Sequence, residues 1–265
     1  MRFSELLDAV RSQPLELSIP ASWAQGRASF GGLVAALQYE AMRARVPMDR
    51  PVRSLAITFV GPVEPEVPVS FEVDVLREGK AVSQVLGRVM QNGQVVTLIQ
   101  GSFGASRPSE VAVAAEPAPE MKHWDECQEL PFVEGVLPEF MRHLAMRWSV
   151  GGLPFSGSTS RQMGGWVRLR GDVKEEAISE AHILALVDAW PPALMPFLKK
   201  PAMGSTLTWT IEFVQPLLQL NTLDWCKYLV ETEYAADGYG HAAAKMWSAD
   251  GRLIAMSRQT VTVFA

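Results

Sequence analysis

Apolar positions along this chain switch between two spacings. Residues 4–11 (SELLDAVR) carry a short helical stripe, with Ser4 placed to cap it. A polar loop through Trp23, Gly26 and Arg27 follows. In FGGLVAALQYEAMRARV, residues 30–46, Leu33, Val34, Leu37 and Ala41 fall at helical spacing and predict a central helix. Gly31 and Gly32 at its start allow a tight entry or a close backbone approach. After Pro51 the pattern becomes strand-like. Residues 54–60, 69–79, 81–93 and 94–103 are rich in Val, Phe, Ile and Thr, and Asn92-Gly93 marks a hairpin.

Residues 105–120 (ASRPSEVAVAAEPAPE) break both patterns and read as linker. The plan then repeats. Strands are expected in MRHLAMRWSV and GGWVRLRGD, with a Gly-rich polar loop over 151–165 between them. EEAISEAHILALVDAW predicts a helix that Pro191-Pro192 ends or kinks. Four strands follow, in residues 205–217, 222–234, 240–251 and 252–264. Phe59-Val60-Gly61-Pro62 matches Phe213-Val214-Gln215-Pro216 at an offset of 154, and QNGQVV matches ADGRLI at an offset of 158. One long helix followed by antiparallel strands, twice, is an α+β plan in which each helix buries its apolar face on a sheet.

Composition narrows the class. The chain has 265 residues, 48% hydrophobic, enough for one large domain or two ordinary ones. Its formal net charge of −5, with no basic run, argues against nucleic acid as a partner. No apolar stretch is long enough to span a membrane, and the N-terminus lacks a signal-peptide pattern, so a cytoplasmic location is expected. Cys127 and Cys226 read as buried thiols in a reducing compartment. The four histidines lack metal-ligand spacing, and neither a G-x-S-x-G elbow nor a dinucleotide fingerprint is present.

One residue departs from the apolar pattern of its surroundings. In ILALVDAW, residues 183–190, Asp188 is a carboxylate among groups that avoid water. Burial destabilises its charged form and raises its basicity, which suits a general base. A structural acid paired with Arg168 or Arg258 is the alternative.

FGGLVAALQ, the strand ending FVGP and LREGKAVSQVLGRVMQNGQVV resemble the first half of the acyl-CoA thioesterase II family. LVDAW, TLTWTIEFVQPL and DGRLIAMSRQ resemble its second half, in order and over most of the chain. The resemblance implies a tandem (double) hotdog, each half a long central helix wrapped by a curved antiparallel sheet. It implies an apolar N-terminal half in residues 1–106, a linker in 107–135, and a C-terminal half in 136–265 that carries the chemistry. It further implies acyl-CoA hydrolysis without metal or bound cofactor, CoA being part of the substrate. The family's Asp falls on Asp188, its Gln on Gln259 and its Thr or Ser on Thr206, with Thr208 as the alternative if the register slips. Gly31 and Gly32 are candidate backbone donors for the carbonyl oxygen.

The internal repeat bears on how many centres to expect. Residues 30–39 contain no acid, and by the repeat offsets Gly101 stands for Gln259 and Val52 for Thr206. One reactive centre per chain is expected. Asp188 would act as a base on water, a covalent route through it being the alternative. Rival readings are a non-catalytic acyl-thioester binder and a hotdog enoyl-thioester hydratase or dehydratase, the latter needing a histidine beside the helix. Unpaired sheet edges and outer faces predict a homodimer or higher assembly.

Overall fold

The structure is a computed structural model and describes residues 1–12, 16–170 and 176–264. In the first half, α1 spans Phe3–Arg11 and α2 Gly31–Arg43. The strands there are β1 (Leu17–Ser18), β2 (Ala24–Gln25), β3 (Ala28–Ser29), β4 (Val52–Phe59), β5 (Pro68–Glu78), β6 (Val82–Gln91) and β7 (Gln94–Gly104). The second half holds β8 (Leu144–Val150), β9 (Gln162–Leu169), α3 (Glu180–Asp188), β10 (Met203–Phe213), β11 (Cys226–Ala236), β12 (Tyr239–Ser248) and β13 (Leu253–Phe264).

Phe3, Leu6, Leu7 and Val10 recur at helical spacing on α1 and are buried, each worth about 1.5–3 kcal/mol of transfer free energy. Ser4 does not cap this helix. It lies inside the first turn, and the Arg2 backbone N–H donates to Glu5 Oε2 at 2.8 Å instead. The helix α2 is apolar on nearly every side because α1, β5–β7 and α3 all pack on it.

The helix expected across residues 175–190 is shorter. It begins at Glu180, with Ser179 at its N-cap, and its last residue is Asp188. The two prolines at 191 and 192 block further turns. Glu175, and the tail of the expected strand at 171–172, lie outside the described residues.

Eleven strands form one antiparallel sheet in the order β1-β5-β6-β7-β4-β10-β13-β12-β11-β9-β8. The halves meet where β4 pairs with β10, Leu55 opposite Ile211 and Ile57 opposite Trp209. Asn92 and Gly93 both take positive φ, the two-residue hairpin the sequence predicted. At the matching Asp250-Gly251 turn only Gly251 does, and Asp250 accepts from the Ser248 hydroxyl. The second half keeps its double positive-φ turn at Asp237-Gly238, between β11 and β12.

The repeat is visible in the ladders. Leu55 pairs with Gly101 on β7, and Trp209 pairs with Gln259 on β13. Residues 105–120 contain no helix or strand and are tied to the second-half strands. Lys245 pairs with Glu116 at 3.5 Å, and Lys227 donates to the Pro119 carbonyl at 3.2 Å. Both cysteines are free and buried. No described helix is long and apolar enough to cross a membrane.

Candidate active site

Asp188 sits at a meeting of helix ends. As the last residue of α3 it occupies the negative end of its own helix dipole. The first residues of α2 approach it from the other half, bringing free N–H groups and the positive end of a second dipole. The helices therefore lie side by side and run in opposite directions. The approach needs glycine twice. A Cβ on Gly31 would stand 3.1 Å from Asp188 Oδ2 and 3.0 Å from Phe59 Cζ. A Cβ on Gly32 would stand 2.9 Å from the Asp188 Cβ and 2.6 Å from Phe30 Cζ.

Two donors hold the carboxylate. Gln259 donates from Nε2 to Asp188 Oδ1 at 2.9 Å, and the Gly32 backbone N–H donates as well. Burial raises the Asp188 pKa from an ordinary 3.8 to about 7, although both hydrogen bonds pull it down. Gln259 extends from the inward face of β13, between buried Ser257 and Val261. The arginines proposed as partners lie elsewhere. Arg168 donates to the Leu223 carbonyl and stacks over Trp225, and Arg258 pairs with Glu233. Among the described residues no cation pairs with Asp188.

Asp188 and Gln259 open onto a cleft of about 380 Å³ between the halves. Gly31, Val34, Phe59, Gly61 and Val63 line it from the first half, and Trp190, Pro192, Gly204, Thr206, Leu207 and Phe264 from the second. Thr206 thus reaches the cleft, though its hydroxyl makes no hydrogen bond to Asp188 or Gln259. Thr208 does not reach it. The β10–β13 register shifts between Thr206 and Thr208, and this bulge breaks the alternation that would have given them one face. Thr206 and Leu207 both line the cleft, while Thr208 is exposed. The expected amide of Gly32 is also committed, since it serves the carboxylate. Gly31 lines the cleft and remains the candidate donor.

Sequence reasoning missed Ser29, Phe59 and Trp190. Ser29 is buried beside the cleft with its hydroxyl unpartnered among the described residues. Only the position of Trp190, two residues after Asp188, pointed to it. No histidine lines the cleft. His182, the one on α3, is buried near its start. Its Nδ1 lies 2.9 Å from the Ser179 hydroxyl, and burial lowers its pKa to about 4. That arrangement gives the hydratase reading no catalytic histidine at the cleft. Among the described residues, no group of three or more His, Cys, Asp or Glu is placed to hold a metal.

The folding pattern is that of the hotdog proteins. A hotdog-fold protein of unknown function from Alicyclobacillus acidocaldarius superposes with a TM-score of 0.81 at 23% identity, covering 94% of this chain and 92% of that one. A proposed thioesterase II of Thermobifida fusca superposes with a TM-score of 0.83 at 19% identity, covering 100% and 98%. Residues 19–104 match the acyl-CoA thioesterase N-terminal domain and residues 115–263 the acyl-CoA thioesterase C-terminal domain. The chain belongs to the acyl-CoA thioesterase family and is a thioester hydrolase. It is also similar to acyl-CoA thioesterase 2 of Haemophilus influenzae, 27% identical over 251 residues that cover 88% of this chain and 86% of that protein.

Proposed function

We propose that this chain is a double hotdog that hydrolyses acyl-CoA thioesters at one centre, with Asp188 as general base. In this reading residues 1–106 form the half without a base of its own, 107–135 the linker, and 136–265 the half that carries Asp188, Thr206 and Gln259. The observation that carries it is the half-buried carboxylate held by Gln259 and the start of α2 at the wall of a cleft with mixed apolar and polar lining. Ionised Asp188 takes a proton from water, and the resulting hydroxide adds to the thioester carbonyl. In this reading the Gly31 N–H, which belongs to a residue lining the cleft, donates to the developing oxyanion. When the tetrahedral adduct collapses, the C–S bond breaks and the thiolate leaves with the proton held by Asp188. Gln259 keeps its carbonyl oxygen free to accept from the water, and the Thr206 hydroxyl supplies a second orienting group. No cofactor or metal is required by this route. A homodimer or larger assembly completes the proposal.

The test is Asp188→Asn with released thiol as the readout. It is expected to lose about 10²–10⁴-fold in kcat while keeping its fold, and undiminished turnover would exclude the mechanism. Wild-type kcat/KM should rise with pH through about 7, because only the ionised carboxylate accepts a proton. Stability should run the other way. The unfolded carboxyl ionises near 3.8, and the folded one holds its proton to about 7. The native state therefore binds the extra proton between those values, and its stability falls as pH rises through that window. Asp188→Asn should melt higher than wild type above pH 7, with the gap closing towards pH 4.

A further inference from the structure

We infer that the Trp190 indole is the wall that limits how long an acyl chain this enzyme accepts, an inference that rests on the thioesterase reading of the cleft. Trp190 lines the cleft two residues beyond Asp188 and is buried. Two further rings brace it. Tyr228 stacks on it with centroids 5.0 Å apart and planes 7° apart, and Trp148 tilts against it at 5.1 Å. Neither bracing ring lines the cleft, so they stand behind the indole as its backing. Tyr228 is near enough to Asp188 for the carboxylate, after burial, to push its hydroxyl pKa up. The braced indole therefore stands beside the base, where a tail leaving the thioester carbonyl begins.

Two observations give the wall a function besides packing. The indole N–H is buried with no partner among the described residues, an arrangement that costs stability. A phenylalanine there would keep a ring in the core without an orphaned donor, so packing alone does not call for the indole. The cleft, at about 380 Å³, also lies near the lower end of the range of about 300–1,000 Å³ for ligand pockets. It must take the thioester and the end of the pantetheine arm as well as the tail. Short acyl groups are the substrate class that fits. Shortening the side chain at 190 frees the volume of the indole itself, up to the Tyr228 and Trp148 rings behind it.

The experiment compares butanoyl-CoA with decanoyl-CoA for wild type, Trp190→Ala and Trp190→Phe. Wild type is expected to favour butanoyl-CoA. Trp190→Ala should raise the decanoyl-to-butanoyl ratio of kcat/KM by about tenfold or more, as pocket methylenes discriminate. Trp190→Phe keeps a braced ring, so its decanoyl-to-butanoyl ratio should stay close to that of wild type whatever its absolute rate. If Trp190→Ala does not fold, Trp190→Leu takes its place with the same expected direction. Active variants with an unchanged ratio would overturn the wall, as would a wild type that prefers decanoyl-CoA. Absence of turnover on both thioesters by the wild type would instead overturn the thioesterase reading itself.

Discussion

The starts of α2 and α3 are counterparts in the repeat, and they do opposite things. Each helix presents its first residues to the ninth residue of the other, Asp188 on α3 and Tyr39 on α2. At the start of α2, Gly31 and Gly32 leave room for a carboxylate and an open cleft. At the start of α3, Glu180 fills the equivalent place. It accepts from the Tyr39 hydroxyl at 3.2 Å and from Gln215 Nε2 at 2.9 Å. Burial first, then the neighbouring Glu180 charge, pushes Tyr39 well above the ordinary phenol range, so it stays a neutral donor. Gln215 stands where Gly61 stands in the other FV-x-P motif, and Gly61 lines the cleft. The sheet repeats the contrast. Gln259 reaches Asp188, while its counterpart Gly101 is covered by Met42, whose methyl would lie 2.8 Å from an added Cβ. The two ends share one backbone plan, and a handful of side chains decides which is a site and which is a plug.

The contrast can be broken by trading those side chains. Gly32→Ala should have the largest effect. The new methyl overlaps the Asp188 Cβ and Phe30, so kcat should fall by about 10²-fold through misplacement of the base, with about 1–3 kcal/mol lost from a urea-derived stability. Gly61→Gln comes next. The nearest atom to an added Cβ is Val96 Cγ1 at 4.0 Å, so a side chain can start there, and a glutamine is expected to plug the cleft as Gln215 plugs its counterpart. Thiol release should drop by about tenfold or more with the melting temperature little changed. Tyr39→Phe should do least. Activity should stay at wild-type level while chemical denaturation shows a loss of about 0.5–1.5 kcal/mol for one hydrogen bond. A large activity loss in Tyr39→Phe would mean the plugged end takes part in turnover.

Much of this was legible because it is periodic. The helix α2, the Asn92-Gly93 hairpin and the Phe59/Phe213 correspondence follow from spacing and turn chemistry, and Gly101 and Gln259 do occupy matching rungs. The apolar run around Asp188 exposed that residue as an oddity but set the start of α3 too early, because hydrophobicity does not mark where the first helical turn closes. The bulge at Leu207 was invisible. One extra residue costs nothing in a strand pattern, yet it sends Thr206 to the cleft and Thr208 to solvent. The meeting of Gly32 with Asp188 joins residues far apart in sequence, and no local pattern encodes such a contact.

The pairing of β4 with β10 has a mechanical consequence. The walls of the cleft belong to two halves of the chain, but these halves are stitched by a run of backbone hydrogen bonds within a single sheet. Such a seam holds neighbouring strands about 4.8 Å apart and does not flex like a linker. Swinging the halves apart would have to break the β4–β10 ladder. The spacing between Asp188 and the helix start that faces it is therefore set once, when the single sheet forms.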